Sequence, residues 1–441
     1  MRLVVGALRK KYDQALIGLR DSDTAKAASL AVAMIANNVI ALGSTFVFAR
    51  LIGDYGSLAA LVSYLLILTV VGQAMQVATA REGVLGHLGV GKDLMATIVS
   101  WTRSMMVLTA VVTVVSIALR QQIADLIGVK HFSWAAAAGL PAGCLYLELS
   151  LLRGALQAIG DYRSVGVSLV AEQGSRLVLG TVLAVAGLGL SGAYLGSLLS
   201  YVAMSLYCGY QLRSQLVGPA GAGLTEAALS LWAHVKSAWA PIIGLAQIAV
   251  LQNIDLIAAK HRFPTHVASA YAATAVAAKV VIWVAMGAGF YLVPEVSRRR
   301  AAGEDTRGVL MRALGIIAVC AVPVLLIFAV ASHELISIAF SPKRATASAS
   351  LVPLGAAFTV LAATYLAVQY MLALKRTWFL LPIGAVAIAE PIVLLQASRH
   401  PAGFAAAVLG VQLVGAAVAL TLALRVRPDE ETATAVNPEL A

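Results

Sequence analysis

The chain has 441 residues, of which 60% are hydrophobic and 12% are charged, and its mean hydropathy is +0.87. A soluble protein carries about a quarter of its residues as Asp, Glu, Lys and Arg, so this composition excludes a soluble globular fold. The formal net charge of +11 is spread between apolar runs and is not concentrated in one soluble domain, which argues against a nucleic-acid-binding protein.

The N-terminal segment has apolar residues at helical spacing, with Arg and Lys between them and no continuous apolar core. This pattern predicts an interfacial helix on the cytoplasmic face and not a cleavable signal peptide, with a disordered basic tail as the alternative.

Twelve apolar runs follow, each of roughly the 20 residues that are needed to cross ~30 Å of hydrocarbon. They lie near residues 28–49, 56–79, 96–119, 133–158, 163–187, 191–212, 237–259, 267–293, 310–331, 346–373, 377–396 and 402–424. The runs are continuous and too long for alternating barrel strands, so an all-α polytopic membrane protein is predicted.

The longest connection, which is rich in Gly and Ala, divides the runs six and six. The predicted organisation is a cytoplasmic interfacial segment at 1–27, a first six-helix bundle at 28–213, a cytoplasmic linker at 214–236, a second six-helix bundle at 237–425 and a cytoplasmic disordered tail at 426–441.

Loop charges orient the helices. Twenty-one Lys and Arg residues fall on the side of the two termini and eight on the other side, so both termini are predicted to be cytoplasmic. The two halves also share a weak repeat, in which Asn37 aligns with Asn253 and Tyr55 with Tyr271 at one common spacing. Such a repeat predicts two parallel pseudo-symmetric bundles related by an axis along the membrane normal.

Polar side chains inside the predicted spans are the candidate functional residues. A charged side chain at the bilayer centre costs roughly 2.5–3.5 kcal/mol on insertion scales, so it is expected to face protein or water. The candidates are Asn37, Arg103, Glu148, Glu172, Arg176, Asn253, Asp255 and Lys279.

Charge pairing within the protein could account for several of these candidates. Glu172 and Arg176 are four residues apart, which suits either a self-neutralising pair or a polar cavity. Lys279 has no acidic residue within one turn and needs a partner from another helix or an anionic ligand; Asp255, on the preceding helix, is the nearest carboxylate in sequence.

Contacts with lipid headgroups or between helices could account for others. Arg103 lies where it could also snorkel to cytoplasmic headgroups. Arg153 is expected to reach the interface, whereas Glu148 is expected to stay buried. The amides of Asn37 and Asn38 could simply cross-link helices.

The sequence also lacks the residue patterns that several kinds of chemistry require. All seven histidines fall at span ends or in loops, so neither a midspan proton relay of histidines nor a metal centre is predicted. No Walker-type phosphate loop is present, and we therefore expect no ATPase activity and no cofactor.

Two passages resemble a known family. The stretch "FARLIGDYGSLAALVSYLLILTVVGQAMQVATARE" contains the turn Ala49-Arg50-Leu51-Ile52-Gly53. The stretch "NIDLIAAKHRFPTHVASAYAATAVAAKVVIWVAMGAGFYLVPEVSRRRAAGED" contains Asp255, Ala270-Tyr271-Ala272-Ala273, Lys279 and Leu292-Val293-Pro294. Both resemble the polysaccharide transporters, which are O-antigen-type flippases of the multidrug/oligosaccharidyl-lipid/polysaccharide (MOP) superfamily.

The resemblance implies alternating access by two six-helix lobes around a central cavity in the bacterial cytoplasmic membrane. The cargo would be a lipid-linked oligosaccharide, a sugar chain on undecaprenyl diphosphate, whose lipid tail stays among the membrane lipids. Arg103, Arg176 and Lys279 would receive the diphosphate. Asn37 and Asn253 would bond sugar hydroxyls, and Asp255, Glu148 and Glu172 would balance charge or couple a proton or sodium ion.

Two other functions are weighed against this interpretation. A cation-coupled multidrug antiporter of the same superfamily would prefer a cavity dominated by carboxylates, whereas Arg103, Arg176 and Lys279 are cations within the spans. A membrane-embedded sugar polymerase or ligase would need a large extracytoplasmic loop, and the connections are short. The protein is therefore predicted to be a transporter and not an enzyme.

Overall fold

Helices form all the regular structure in residues 23–216 and 230–425, the part of the chain that the computed structural model describes. Most of the predicted interfacial segment, most of the predicted linker and the predicted tail lie outside these residues.

The first half of the described chain contributes seven α-helices and ends at residue 216. They are α1 (Asp23–Leu51), α2 (Tyr55–Val84), α3 (Lys92–Ala118), α4 (Arg120–Ile127), α5 (Ser133–Ala158), α6 (Tyr162–Leu183) and α7 (Gly189–Leu216). The second half contributes eight. They are α8 (Leu231–Ser237), α9 (Trp239–Arg262), α10 (Thr265–Ala278), α11 (Val280–Ala301), α12 (Arg307–Ala339), α13 (Leu351–Ala373), α14 (Leu380–Gln396) and α15 (Pro401–Arg425).

Ten helical runs in these residues are long and apolar enough to cross a membrane. One of them, Tyr162–Leu216, holds both α6 and α7, and the 17-residue apolar helix α14 is an additional, shorter candidate. The described residues therefore contain the twelve predicted passes, and the all-α class is confirmed.

Helices α6 and α7 are joined without a loop. The connection is a single π-helical turn, Ala184–Leu188, in which Gly187 has a φ of 105°. Only glycine adopts this backbone conformation without steric cost. The two helices then pack closely, because Gly196 has no side chain and a Cβ there would lie 2.5 Å from the backbone nitrogen of Gly180.

The chain forms two compact units, each drawn from three segments of the sequence, and the last boundary between them, at 235/236, falls within the predicted linker. Unit 1 comprises Met1–Val47, Met75–Val112 and Pro141–Val235, and unit 2 comprises Phe48–Ala74, Thr113–Leu140 and Lys236–Ala441. Helices α1, α2, α3 and α5 therefore each contribute one end to unit 1 and the other end to unit 2.

Within unit 2, the turn between α1 and α2 is bound by residues from the second half of the sequence. Lys260 Nζ lies 3.1 Å from Asp54 Oδ1, and the Gly56 backbone N–H donates to Ser269 Oγ at 2.9 Å. Arg344 donates to two backbone carbonyls of the same turn at 3.1 and 2.9 Å. A Cβ on Gly56 would lie 3.0 Å from the Ser269 nitrogen, so the two backbones are in close contact.

Candidate functional site

Three of the predicted site residues meet in unit 2. Lys279 Nζ donates to Asn253 Oδ1 at 3.3 Å and lies 3.5 Å from Asp255 Oδ1, while Tyr271 donates to Asp255 Oδ2 at 3.3 Å. Asp255 is 1% exposed and Lys279 is 7% exposed. We call these four residues the Lys279 cluster.

The local structure explains how the Lys279 cluster forms. Asn253 and Asp255 are two residues apart on α9, where Asn253 also donates to the Ala249 carbonyl of its own helix at 3.0 Å. Lys279 lies at the junction where α10 ends and α11 begins. Its ammonium also lies 5.3 Å from the centre of the Phe358 ring, a cation–π distance. Asp255 is therefore the partner that was expected for Lys279 from another helix. The charge of Lys279 is balanced in this structure without a ligand.

A second polar pair in unit 2 consists of Glu390 on α14 and Gln412 on α15, and both are fully buried. Gln412 Nε2 donates to Glu390 Oε1 at 3.0 Å and to the Leu251 carbonyl at 2.9 Å. The candidate site residues chosen from the sequence do not include Glu390, Gln412 or Tyr271. The signal available for Glu390 is a carboxylate inside an apolar run.

In unit 1, the buried ion pair is Arg153–Glu172. The Arg153 guanidinium lies 2.8 Å from Glu172 Oε2 and donates to the Ser168 hydroxyl at 2.8 Å and to the Ser168 carbonyl at 2.9 Å. One expectation is therefore wrong, because Arg153 is completely buried among these partners and does not reach an interface. Of the two alternatives for Glu172 and Arg176, the self-neutralising pair is not formed, since Glu172 binds Arg153.

Four predicted site residues of unit 1 form no hydrogen bond or ion pair with one another within the described residues. Arg176 and Glu148 are partly buried, and neither makes a hydrogen bond or ion pair within the described residues. Arg103 is exposed on α3. Asn37 is partly buried, and its amide lies 3.4 Å from the side chain of its neighbour Asn38.

The surroundings of Arg176 are polar. The Arg176 Nε and the Gln173 Oε1, three residues earlier on α6, are both buried atoms without a hydrogen-bond partner in this part of the chain. Arg176 also interacts electrostatically with Tyr201 of α7. This face of α6 therefore offers donors and acceptors that no described protein group occupies.

The polar clusters are distinct from an apolar cavity of unit 2. A cavity of about 550 Å³ lies between α2, α4, α9 and α14, and its lining is almost entirely apolar. None of the predicted site residues lines this cavity. Within the described ranges, no group of three His, Cys, Asp or Glu side chains is arranged to hold a metal ion.

Comparison with known proteins identifies the fold. No family model matches the chain, and no curated protein sequence does. An inward-facing multidrug resistance MATE family transporter of the MOP superfamily has a TM-score of 0.70 at 12% identity, covering 93% of this chain and 99% of its own. The lipid II flippase MurJ, in an inward closed conformation, has a TM-score of 0.69 at 13% identity, covering 92% and 89%.

A third solved structure is similar over the whole chain. It is a MOP superfamily transporter from Pyrococcus furiosus, described by a binding pocket of reverse polarity, with a TM-score of 0.65 at 13% identity, covering 95% of this chain and 98% of its own. Identities this low establish the fold alone. The chain has the fold shared by these MOP superfamily transporters.

Proposed function

We propose that the protein is an alternating-access flippase that moves a lipid-linked oligosaccharide, an undecaprenyl diphosphate sugar, across the bacterial cytoplasmic membrane for cell-surface polysaccharide biosynthesis. The proposed orientation has both termini in the cytoplasm. The fold supports transport, since the similar structures are transporters and flippases. The distribution of charge within unit 1 supports an anionic cargo.

The observation that carries this proposal is that Arg176 has no ion-pair partner within the described residues. Its natural partner on the same helix, Glu172, is already bound to Arg153 at 2.8 Å. A guanidinium without a protein anion, inside a membrane-spanning helix, binds an anionic ligand strongly because the dielectric is low. A diphosphate is such a ligand, and the unpartnered Gln173 oxygen can accept a hydrogen bond from a sugar hydroxyl.

The other site residues receive roles that follow from their contacts. Exposed Arg103 and partly buried Asn37 would add to the diphosphate and sugar contacts of unit 1. Lys279 and Asn253 bind each other in this structure, so they would reach the cargo only after Lys279 leaves Asp255. Asp255 and Glu172 balance buried cations in the cargo-free protein.

One observation favours the multidrug antiporter as the second candidate. Glu148 is a partly buried carboxylate that has no partner in the described chain, and an unpaired carboxylate suits a cationic drug. Proton or sodium coupling would then act through Glu148.

The deciding experiment uses proteoliposomes that contain the full-length protein and a labelled undecaprenyl diphosphate oligosaccharide. A hydrogen bond to a charged group contributes about 1.5–3 kcal/mol, so Arg176→Ala is expected to slow translocation by roughly 10- to 100-fold. Arg213→Ala, at the exposed end of α7, is the matched control and is expected to keep the wild-type rate.

The opposite result would select the antiporter. In that case the wild type would move no lipid-linked sugar but would export a cationic dye against a proton or sodium gradient, and Glu148→Gln would abolish the export.

A further inference from the structure

In the Glu390–Gln412 pair of unit 2, all the available donors are used, but each side chain keeps one buried oxygen without a partner in the described chain. Both amide hydrogens of Gln412 are used, one on Glu390 Oε1 and one on the Leu251 carbonyl. The remaining oxygens, Glu390 Oε2 and Gln412 Oε1, are buried and have no hydrogen-bond partner within the described chain. Both atoms are acceptors when Glu390 is ionised, so neither can satisfy the other.

A single proton on Glu390 would supply the missing hydrogen-bond donor. If Glu390 Oε2 carries a hydrogen, it becomes a donor, and Gln412 Oε1 of the same pair is a buried acceptor without a partner, while Gln412 Nε2 continues to donate to Glu390 Oε1. Protonation therefore supplies the donor that the acid and the amide need for a second, reciprocal hydrogen bond. Buried polar atoms are nearly always hydrogen-bonded, so the protonated form is the one that this environment favours.

The neighbouring charges lead to the same conclusion. The charged and titratable groups that interact with Glu390 are Asp255 of α9, Tyr271 of α10 and Lys279. Lys279 is already 3.5 Å from Asp255 and neutralises it. An ionised Glu390 would add a second buried anion to a set of groups that holds one cation, and a buried charge without a partner of its own is costly.

We propose that Glu390 carries a proton in this structure and that, with Gln412, it forms the binding site for the coupling ion, which is a proton. The coupling part rests on the proposed transport function. In a conformation that admits water, the O–H bond of Glu390 breaks and the proton passes to water. The resulting carboxylate competes with Asp255 for Lys279, which links proton release to the residue expected to contact the cargo.

The protonation can be tested without any transport. Infrared spectroscopy of the full-length protein in lipid at neutral pH is expected to show a carbonyl absorption of a protonated carboxylic acid that Glu390→Gln removes. Glu334→Gln, an exposed glutamate on α12, is the matched control and should leave that absorption unchanged. A Glu390→Gln spectrum identical to the wild type in this region would overturn the proposal.

Thermal unfolding gives a second, independent measurement. The amide of Glu390→Gln can make both bonds of the acid form, so this variant is expected to keep the wild-type melting temperature. Glu390→Leu, which leaves Gln412 without its partner, is expected to lower it. If Glu390→Gln melted as low as Glu390→Leu, the carboxylate charge would be required and the proton site would be refuted.

Coupling is tested in the proteoliposomes described above. An imposed proton gradient is expected to accelerate cargo movement by the wild type and by Glu334→Gln but not by Glu390→Gln. An equal response of wild type and Glu390→Gln would overturn the coupling role. If the wild type moved no lipid-linked sugar at all, the proposed function would fail, while the infrared and melting results would still decide the proton site.

Discussion

Arg153 and Glu172 show what an ion pair does at membrane depth. The guanidinium is completely buried, and its hydrogen bonds go to the carboxylate and to both oxygens of Ser168. A buried ion pair adds little net stability because both charges lose their hydration. Removing one partner is costly, however, because the other charge is left buried and alone.

Arg153→Met is therefore expected to lower the free energy of unfolding by about 3–5 kcal/mol, because Glu172 loses its partner. The double variant Arg153→Met/Glu172→Leu should recover most of that loss, since neither charge remains. Thermal unfolding in detergent measures both effects, with Arg213→Met as the exposed control. Equal melting temperatures for Arg153→Met and Arg213→Met would contradict this account.

The same residues show what the sequence could predict at this scale. The charged positions inside the spans were identifiable, because each stands out in an apolar run. Their pairing was only partly predictable: Asp255 is the carboxylate nearest to Lys279 in sequence, whereas nothing in the sequence joins Arg153 to Glu172 of the neighbouring helix. Which faces of two helices meet depends on their rotation and packing, which hydrophobicity does not encode.

At the scale of elements, His234 of the short helix α8 is packed into unit 1. His234 is fully buried, its Nε2 lies 3.0 Å from Thr79 Oγ1, and its ring stacks on Trp101 with centroids 4.8 Å apart. Burial lowers the pKa of His234 below its ordinary value, although Glu82 acts in the opposite direction. The folded structure therefore favours the neutral imidazole.

This preference predicts a pH dependence. A group whose pKa is lower in the folded protein contributes its stability fully above the ordinary value of about 6.5 and loses it as the pH falls through the lower folded value. Below about pH 6.5, hydrogen exchange of residues 231–237 is expected to accelerate. His234→Gln should remove this dependence, whereas His87→Gln, an exposed histidine bound to Glu82, should not. An acid-induced increase that persisted in His234→Gln would assign the effect to another group.

Most helices could be predicted from the sequence, because each pass is a continuous apolar run. The break at Lys279 could not, since residues 267–293 read as one span, whereas the chain has α10 and α11 on either side of this lysine. Helix α8 was also missed, because six of its seven residues lie inside the predicted linker and have no long apolar pattern. Short elements and breaks of this kind depend on tertiary contacts.

At the scale of the whole molecule, the contacts of the α1–α2 turn connect the two sequence halves within unit 2. Asp54 binds Lys260, and the Gly56 N–H binds Ser269. If transport proceeds by alternating access, as we propose, these contacts separate in one of the states. Their strength would then help to set the population of that state.

Lys260→Glu is expected to weaken this contact, because it replaces an ion pair with two like charges. The Gly56 amide should then exchange with deuterium faster, by up to roughly tenfold for the loss of about 1.4 kcal/mol. Lys260→Met, which removes the ion pair without placing two like charges together, should give a smaller increase. Lys343→Glu, an exposed lysine in the same unit, is the control. Slow exchange in Lys260→Glu would show that the ion pair does not hold the turn.

The π-helical turn that contains Gly187 affects how conservation at this position should be interpreted in an alignment of homologues. Its φ of 105° excludes other residue types for backbone reasons alone. Evolution would therefore keep this glycine in any homologue with the same loopless hairpin, whatever cargo it moved. In an alignment of such homologues, invariance at this position would record the geometry of the hairpin, and it should not be counted as evidence for a shared substrate.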